Sequence, residues 1–231
     1  MKKMLLACAF VYCFTPLAHA VVINFDDLAT GTIVDSEYAH LLNVRVKNLG
    51  GGPDVGVIFD TLHPTGGDTD LRGPFSSNNP NLPGKFNTGK VLIIHENHNC
   101  NANTCNNPDD EGSRPAGTFF FDFKSTITLE SIDFFDIETA ENGKSYKNAI
   151  RLFDSANIEI LPYTFYTPDT GGNNMWDQLV FNVEGVKRIE LNMGGSGAID
   201  NISFSVVPVP AAVWLFGSGL VGLIGLTRRK A

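Results

Sequence analysis

The chain has 231 residues, with 25 acidic and 17 basic side chains and a formal net charge of −8. That balance excludes a protein that holds nucleic acid or anionic lipid by bulk electrostatic attraction. It is compatible with divalent cations, and the length allows one domain with a sizeable core.

Residues 1–20 read MKKMLLACAFVYCFTPLAHA. Lys2 and Lys3 form a basic start, residues 4–14 an apolar stretch, and Ala18 and Ala20 occupy the small-residue positions that a signal peptidase reads. The pattern predicts a signal peptide over 1–20, Sec-type export and cleavage after Ala20. The apolar stretch is too short to span a bilayer and stops at Pro16.

The body, residues 21–206, reads as β structure throughout. Short runs rich in β-branched and aromatic residues are predicted as strands at 21–25, 43–49, 55–60, 91–95, 117–123, 131–138, 149–154, 179–183, 186–193 and 198–206. Phe119, Phe121 and Phe123 alternate onto one face, as do Ile189, Leu191 and Met193. Gly, Pro, Asn and Asp clusters separate the runs, among them PTGGDTD from Pro64, NNPDDEGSRPAG from Asn106 and PDTGGNN from Pro168. No helical periodicity of useful length and no internal repeat interrupts them. The expected fold is all-β, an antiparallel sandwich of jelly-roll type.

Three features of the body carry candidate chemistry. Cys100 and Cys105 lie in the loop NHNCNANTC, and export would expose both thiols to oxidation, so a disulfide is expected. The alternative is a zinc site from His95, His98, Cys100 and Cys105, whose residue types suit the metal although their spacing is not a strong zinc pattern. Asp26, Asp60, Asp68, Asp70, Asp109, Asp110 and Asp200 lie in or beside turns that could supply oxygen ligands to calcium. A structural calcium ion is placed at Asp26, Asp27 and Asp200, because a sandwich makes its first and last strands neighbours. The alternative is acidic turns facing water.

Trp176 and Tyr166, with Tyr163 and Phe165, flank the loop TPDTGGNNMWDQ. Aromatic faces stack on sugars, which makes these residues glycan candidates; the alternative places Trp176 in the core. No G-x-S-x-G elbow, H-E-x-x-H helix or glycine-rich phosphate loop is present, and the expectation is a protein that is not an enzyme.

The last segment, 207–231, reads VPVPAAVWLFGSGLVGLIGLTRRKA. Residues 211–227 carry no charge, and a helix of that length covers ~25 Å, close to the hydrocarbon thickness. Trp214 sits where an interfacial ring belongs, and Arg228, Arg229 and Lys230 would remain cytoplasmic. Neither end holds an acid, so losing both removes five basic residues and takes the body from −8 to −13.

This tail resembles the PEP-CTERM sorting signal of Gram-negative envelope proteins, in a variant that begins Val-Pro-x-Pro. The resemblance rests on Val207, Pro208, Pro210, Ala211, Ala212, Trp214, Leu215, Phe216, Gly217, Ser218, Gly219 and the closing Arg228, Arg229 and Lys230. It implies sorting by an exosortase through a transient inner-membrane anchor. The destination would be the periplasm, outer surface or extracellular matrix of an exopolysaccharide-making cell. Val209 replaces the glutamate of the name-giving motif, which leaves the cleavage point open. INFDDLATGTIV from Ile23 and GGSGAIDNISF from Gly194 resemble the first and closing strands of galactose-binding-like and lectin-type sandwiches. These readings predict an exported, non-catalytic envelope or matrix protein, with binding of exopolysaccharide as the alternative and a hydrolase as the third.

Overall fold

The computed structural model describes residues 20–206. Residues 1–19 of the signal peptide expected over 1–20, and the sorting tail over 207–231, lie outside the described residues. Within them the protein is all-β, with antiparallel pairing between the strands of its sheet and no helix.

Nine strands follow in chain order: β1 (Ala20–Ile23), β2 (Leu42–Asn48), β3 (Gly56–Asp60), β4 (Lys90–Ile94), β5 (Gly117–Phe135), β6 (Ala149–Phe153), β7 (Glu159–Tyr166), β8 (Trp176–Met193) and β9 (Ala198–Val206). They pair in the order β3-β4-β9-β5-β8-β6-β7, with β1 added to β9 and β2 added to β5. The first and last strands are therefore neighbours, Ile23 lying opposite Ile202.

The two long strands are pairs of the expected runs joined without a turn. Residues 117–123 and 131–138 were expected as separate strands, but the chain continues through Lys124, Ser125 and Thr126 with a shift of register. The first half of β5 pairs with β2, from Leu42↔Phe123 to Asn48↔Gly117, and the second half with β9, from Ile127↔Val206 to Phe135↔Ala198. Such irregularities bend a strand and increase its twist, so one strand can serve two successive partners along one edge.

Alternation fixes which face is buried. In β2, Leu42, Val44 and Val46 point into the core while Arg45 and Lys47 face solvent. These three join Phe119, Phe121 and Phe123 of β5, Ile189, Leu191 and Met193 of β8, and Ile202 and Phe204 of β9 in the larger apolar cluster.

β3 and β4 do not alternate, because both of their faces are covered. Ile58, Leu92 and Ile94 enter the larger cluster, and Val57, Phe59, Val91 and Ile93 enter a second one with Leu71, Phe75, Cys105, Phe135 and Trp176. A continuous apolar run is what a strand buried on both faces requires. The second cover is made by loop residues, above all Leu71 and Phe75 from the connection between β3 and β4. That packing holds the polar part of the same connection against the end of the sheet.

Candidate metal centre

Three stretches of chain converge beyond the ends of β3, β4 and β5. The connection after β3 turns through Thr65, Gly66 and Gly67 and delivers Asp68 and Asp70. It is laced to the connection after β4: Thr65 Oγ1 donates to the Pro108 carbonyl at 2.7 Å, and Gly66 N–H donates to Asn107 Oδ1 at 3.0 Å. The second connection returns along the end of β4, with Glu96 N–H donating to the Asp109 carbonyl at 3.2 Å and Glu111 N–H to the Ile94 carbonyl at 2.9 Å. This sets Asp109 and Asp110 beside the first loop. Asp136 follows the last residue of β5 with φ of 60° and donates its N–H to the Met175 carbonyl at 3.0 Å.

One carboxylate oxygen from each of Asp68, Asp109 and Asp110 lies within 4.8 Å of the other two. Asp110 Oδ2 accepts from the N–H of Gly197, just before β9, and Asp109 Oδ2 accepts from Asn97 Nδ2 at 3.2 Å. Asp68 Oδ2 and Asp136 Oδ1 are buried and have no hydrogen-bond partner. Asp136 is 4% exposed.

The electrostatics follow from that geometry. Burial pushes the Asp68 carboxyl far above the carboxylate range, and contact with Asp70 and the charge of Asp110 push it further. Burial does the same to Asp110, where the Gly197 N–H works in the opposite direction and the charges of Asp70 and Asp109 add to the rise. Asp109 is raised by burial and by Glu96. Burial, then the charges of Asp70 and Asp110, push Asp136 up to about 8. No Lys or Arg forms an ion pair with any of these five aspartates among the described residues. Such a cluster holds its oxygens together only when protons or a cation offset the repulsion.

The structure separates the other candidates. Cys100 and Cys105 are joined, with sulfurs 1.98 Å apart, in the disulfide expected. The zinc alternative is corrected, although His95 lies close to both sulfurs. Bonded sulfurs are not thiolates, and both ring nitrogens of His95 are engaged, Nδ1 with the Asp109 carbonyl at 3.0 Å and Nε2 with Asn99 Oδ1 at 2.9 Å. His98 Nε2 meets the Gly51 carbonyl at 3.0 Å instead.

The structure does not gather Asp26, Asp27 and Asp200, where calcium was expected, into one set. The strands are adjacent as expected, but the three carboxylates do not form a set whose ligand atoms lie within 4.8 Å of one another. Asp26 and Asp27 are exposed, Asp26 Oδ1 taking the Lys90 N–H at 2.9 Å and Asp27 Oδ1 the Tyr38 hydroxyl at 2.5 Å. Asp200 is buried on β9, where it accepts from Thr88 Oγ1.

Trp176 is 3% exposed, with Phe86 stacked on it at 4.5 Å between centroids and Phe135 at 6.3 Å. It has no open face for a sugar. Tyr166 lines a separate groove with Asn142, Lys144, Pro168 and Asp169. Ala18 lies outside the described residues, and Ala20 is the exposed first residue of β1.

Sequence reasoning included Asp68, Asp70, Asp109 and Asp110 among the turn aspartates but missed Asp136. Its one local signal is an aspartate directly after an apolar strand end, in FFDIE. No protein-family model matches the chain, and no curated protein is significantly similar to it.

Proposed function

We propose that this chain is an exported, non-catalytic protein of the cell envelope or extracellular matrix, delivered by an exosortase through its C-terminal segment. The tail sequence carries this reading: two prolines, an uncharged stretch of membrane length over 211–227, and then Arg228, Arg229 and Lys230. A cysteine pair at bonding distance supports an oxidising compartment. The body would serve as a jelly-roll-like β-sandwich enclosing the larger apolar cluster. The bend of β5 from β2 to β9 supports that closure.

The test is fractionation of cells expressing the full chain and a variant with Arg228, Arg229 and Lys230 replaced by Gln. The full chain is expected in the inner membrane, followed by a released form lacking the tail. The variant is expected to escape retention. Equal retention and equal processing of the two would overturn the reading.

A second reading, binding of exopolysaccharide, is favoured by one observation away from Trp176. Tyr146 is 67% exposed and lines a surface hollow with Leu49, Pro115, Thr118 and Asn192. Binding of the source cell's polysaccharide that weakens in Tyr146→Ala would support it, and equal binding by the variant would exclude this face.

A further inference from the structure

We infer that Asp68, Asp109 and Asp110, with the buried Asp136 beside them, hold a calcium ion that clamps the connections after β3 and β4 together near the ends of β5 and β9. The inference stands on geometry. Two oxygens bound to the same calcium ion, each at 2.3–2.6 Å, can be at most ~5 Å apart. The three aspartates that offer oxygens within 4.8 Å of one another come from two separate loops, so local chain geometry alone does not bring them together.

Asp136 supplies an independent observation. It is 4% exposed, its Oδ1 is buried without a hydrogen-bond partner, and after burial the largest influences on its carboxyl are the charges of Asp70 and Asp110. A buried carboxylate oxygen without a donor is costly to hold, and a second one, Asp68 Oδ2, belongs to the three-aspartate set itself. An ion held by that set satisfies the Asp68 oxygen directly and offsets the charge facing Asp136. Two donors fix the arrangement further, the Gly197 backbone N–H orienting Asp110 and the Asn97 side-chain amide orienting Asp109.

The ligand atoms select the ion. Carboxylate oxygen without nitrogen or sulfur points to a hard cation rather than zinc. Magnesium needs a near-ideal octahedron at 2.0–2.1 Å and keeps several waters, whereas calcium accepts several carboxylates in irregular geometry. Asp70, whose carboxyl touches that of Asp68, completes a strongly negative surround.

The experiment begins with full-length protein stripped by EDTA. Calcium chloride is titrated in by calorimetry, magnesium chloride in parallel, and melting curves are recorded for each state. One calcium per chain is expected, with weaker magnesium binding and a melting temperature raised by several degrees. Asp68→Asn and Asp136→Asn should each weaken calcium binding at least tenfold. In EDTA the same variants should melt no lower than wild type, because each replaces an acid crowded by other acids with a neutral amide of the same shape. That inversion separates a ligand role from a merely structural one. If Asp136→Asn does not fold, the partly buried Asp109→Asn takes its place.

Terbium locates the ion, since the indole of Trp176 adjoins Met175, whose carbonyl accepts the Asp136 N–H. Sensitised terbium emission should be displaced by calcium and lost in Trp176→Phe. Superimposed melting curves with calcium and EDTA, or calcium affinity unchanged in Asp68→Asn and Asp136→Asn but lost in Asp200→Asn, would overturn the inference.

Discussion

Gly66 lies so close to Asp109 that a Cβ at residue 66 would run into the Asp109 carboxyl. Gly66 also has φ of +71°, a left-handed conformation in which a side chain adds ~1–2 kcal/mol of strain. The glycine thus sets both the turn and the approach of the two acidic loops.

Gly66→Ala is therefore expected to destabilise the protein by about 1–3 kcal/mol and to weaken calcium binding by displacing Asp109. Denaturant unfolding and calcium titration of the variant measure the two effects. Wild-type values for both would show that the loop adjusts without moving the carboxylate.

The Cys100–Cys105 bond closes a loop with a sequence separation of only 5. Chain entropy then limits its stabilisation to ~2 kcal/mol. Intact mass of the folded protein should show no alkylatable thiol in the described body before reduction and two after it. Cys100→Ser with Cys105→Ser should lower stability by no more than ~2 kcal/mol, leaving the sheet intact by circular dichroism. Two free thiols in the untreated protein would remove the bond from the account.

Asp200 makes stability depend on pH. Burial raises its pKa to about 8, the charges of Asp133 on β5 and Asp26 beyond β1 act in the same direction, and the Thr88 hydroxyl and Asn201 N–H oppose them. An unfolded aspartate titrates near 3.9, so the native state holds a proton that the unfolded state lacks between these values. The associated stability is complete below pH ~4 and is lost as pH rises through about 8. Melting temperature in EDTA should fall between pH 5 and 8.5, and Asp200→Asn should flatten that fall. Each kcal/mol corresponds to ~2–4 °C for a domain of this size. Parallel curves for the two proteins would assign the pH dependence to other groups.

Replacing the buried indole tests its structural role. Trp176→Ala empties a site stacked with Phe86 and Phe135 in the second apolar cluster, and should cost ~3–5 kcal/mol. Trp176→Phe should cost less than half of that, because it keeps a ring in contact. Urea unfolding gives both values. A loss below 1 kcal/mol for the alanine variant would mean that the ring is not part of the core.

Much of the sheet could be read directly from local pattern. Alternation identified the inward faces of β5 and β8, and the continuous apolar runs of β3 and β4 were recognisable as strands. β7 escaped because Pro162 interrupts EILPYTFY and the strand exposes Leu161. The structure places β7 at the edge of the sheet, beside β6 alone, where a missing ladder donor is tolerated. The separate runs within β5 and within β8 were each read as two strands because a shift of register leaves no turn residue to distinguish it from a loop.

The sequence by itself determined the all-β class, the disulfide pair and the adjacency expected of first and last strands, since these follow from alternation, compartment and spacing. Only the tertiary structure decided which aspartates meet. Asp26, Asp27 and Asp200 looked convergent from strand order, yet Asp26 and Asp27 face solvent while Asp200 turns inward. Asp68 and the neighbouring Asp109 and Asp110 come from two separate connections, and two lacing hydrogen bonds together with the packing of Leu71 and Phe75 bring them together. Convergence of that kind is set by long-range packing, and a local pattern of residue types carries no record of it.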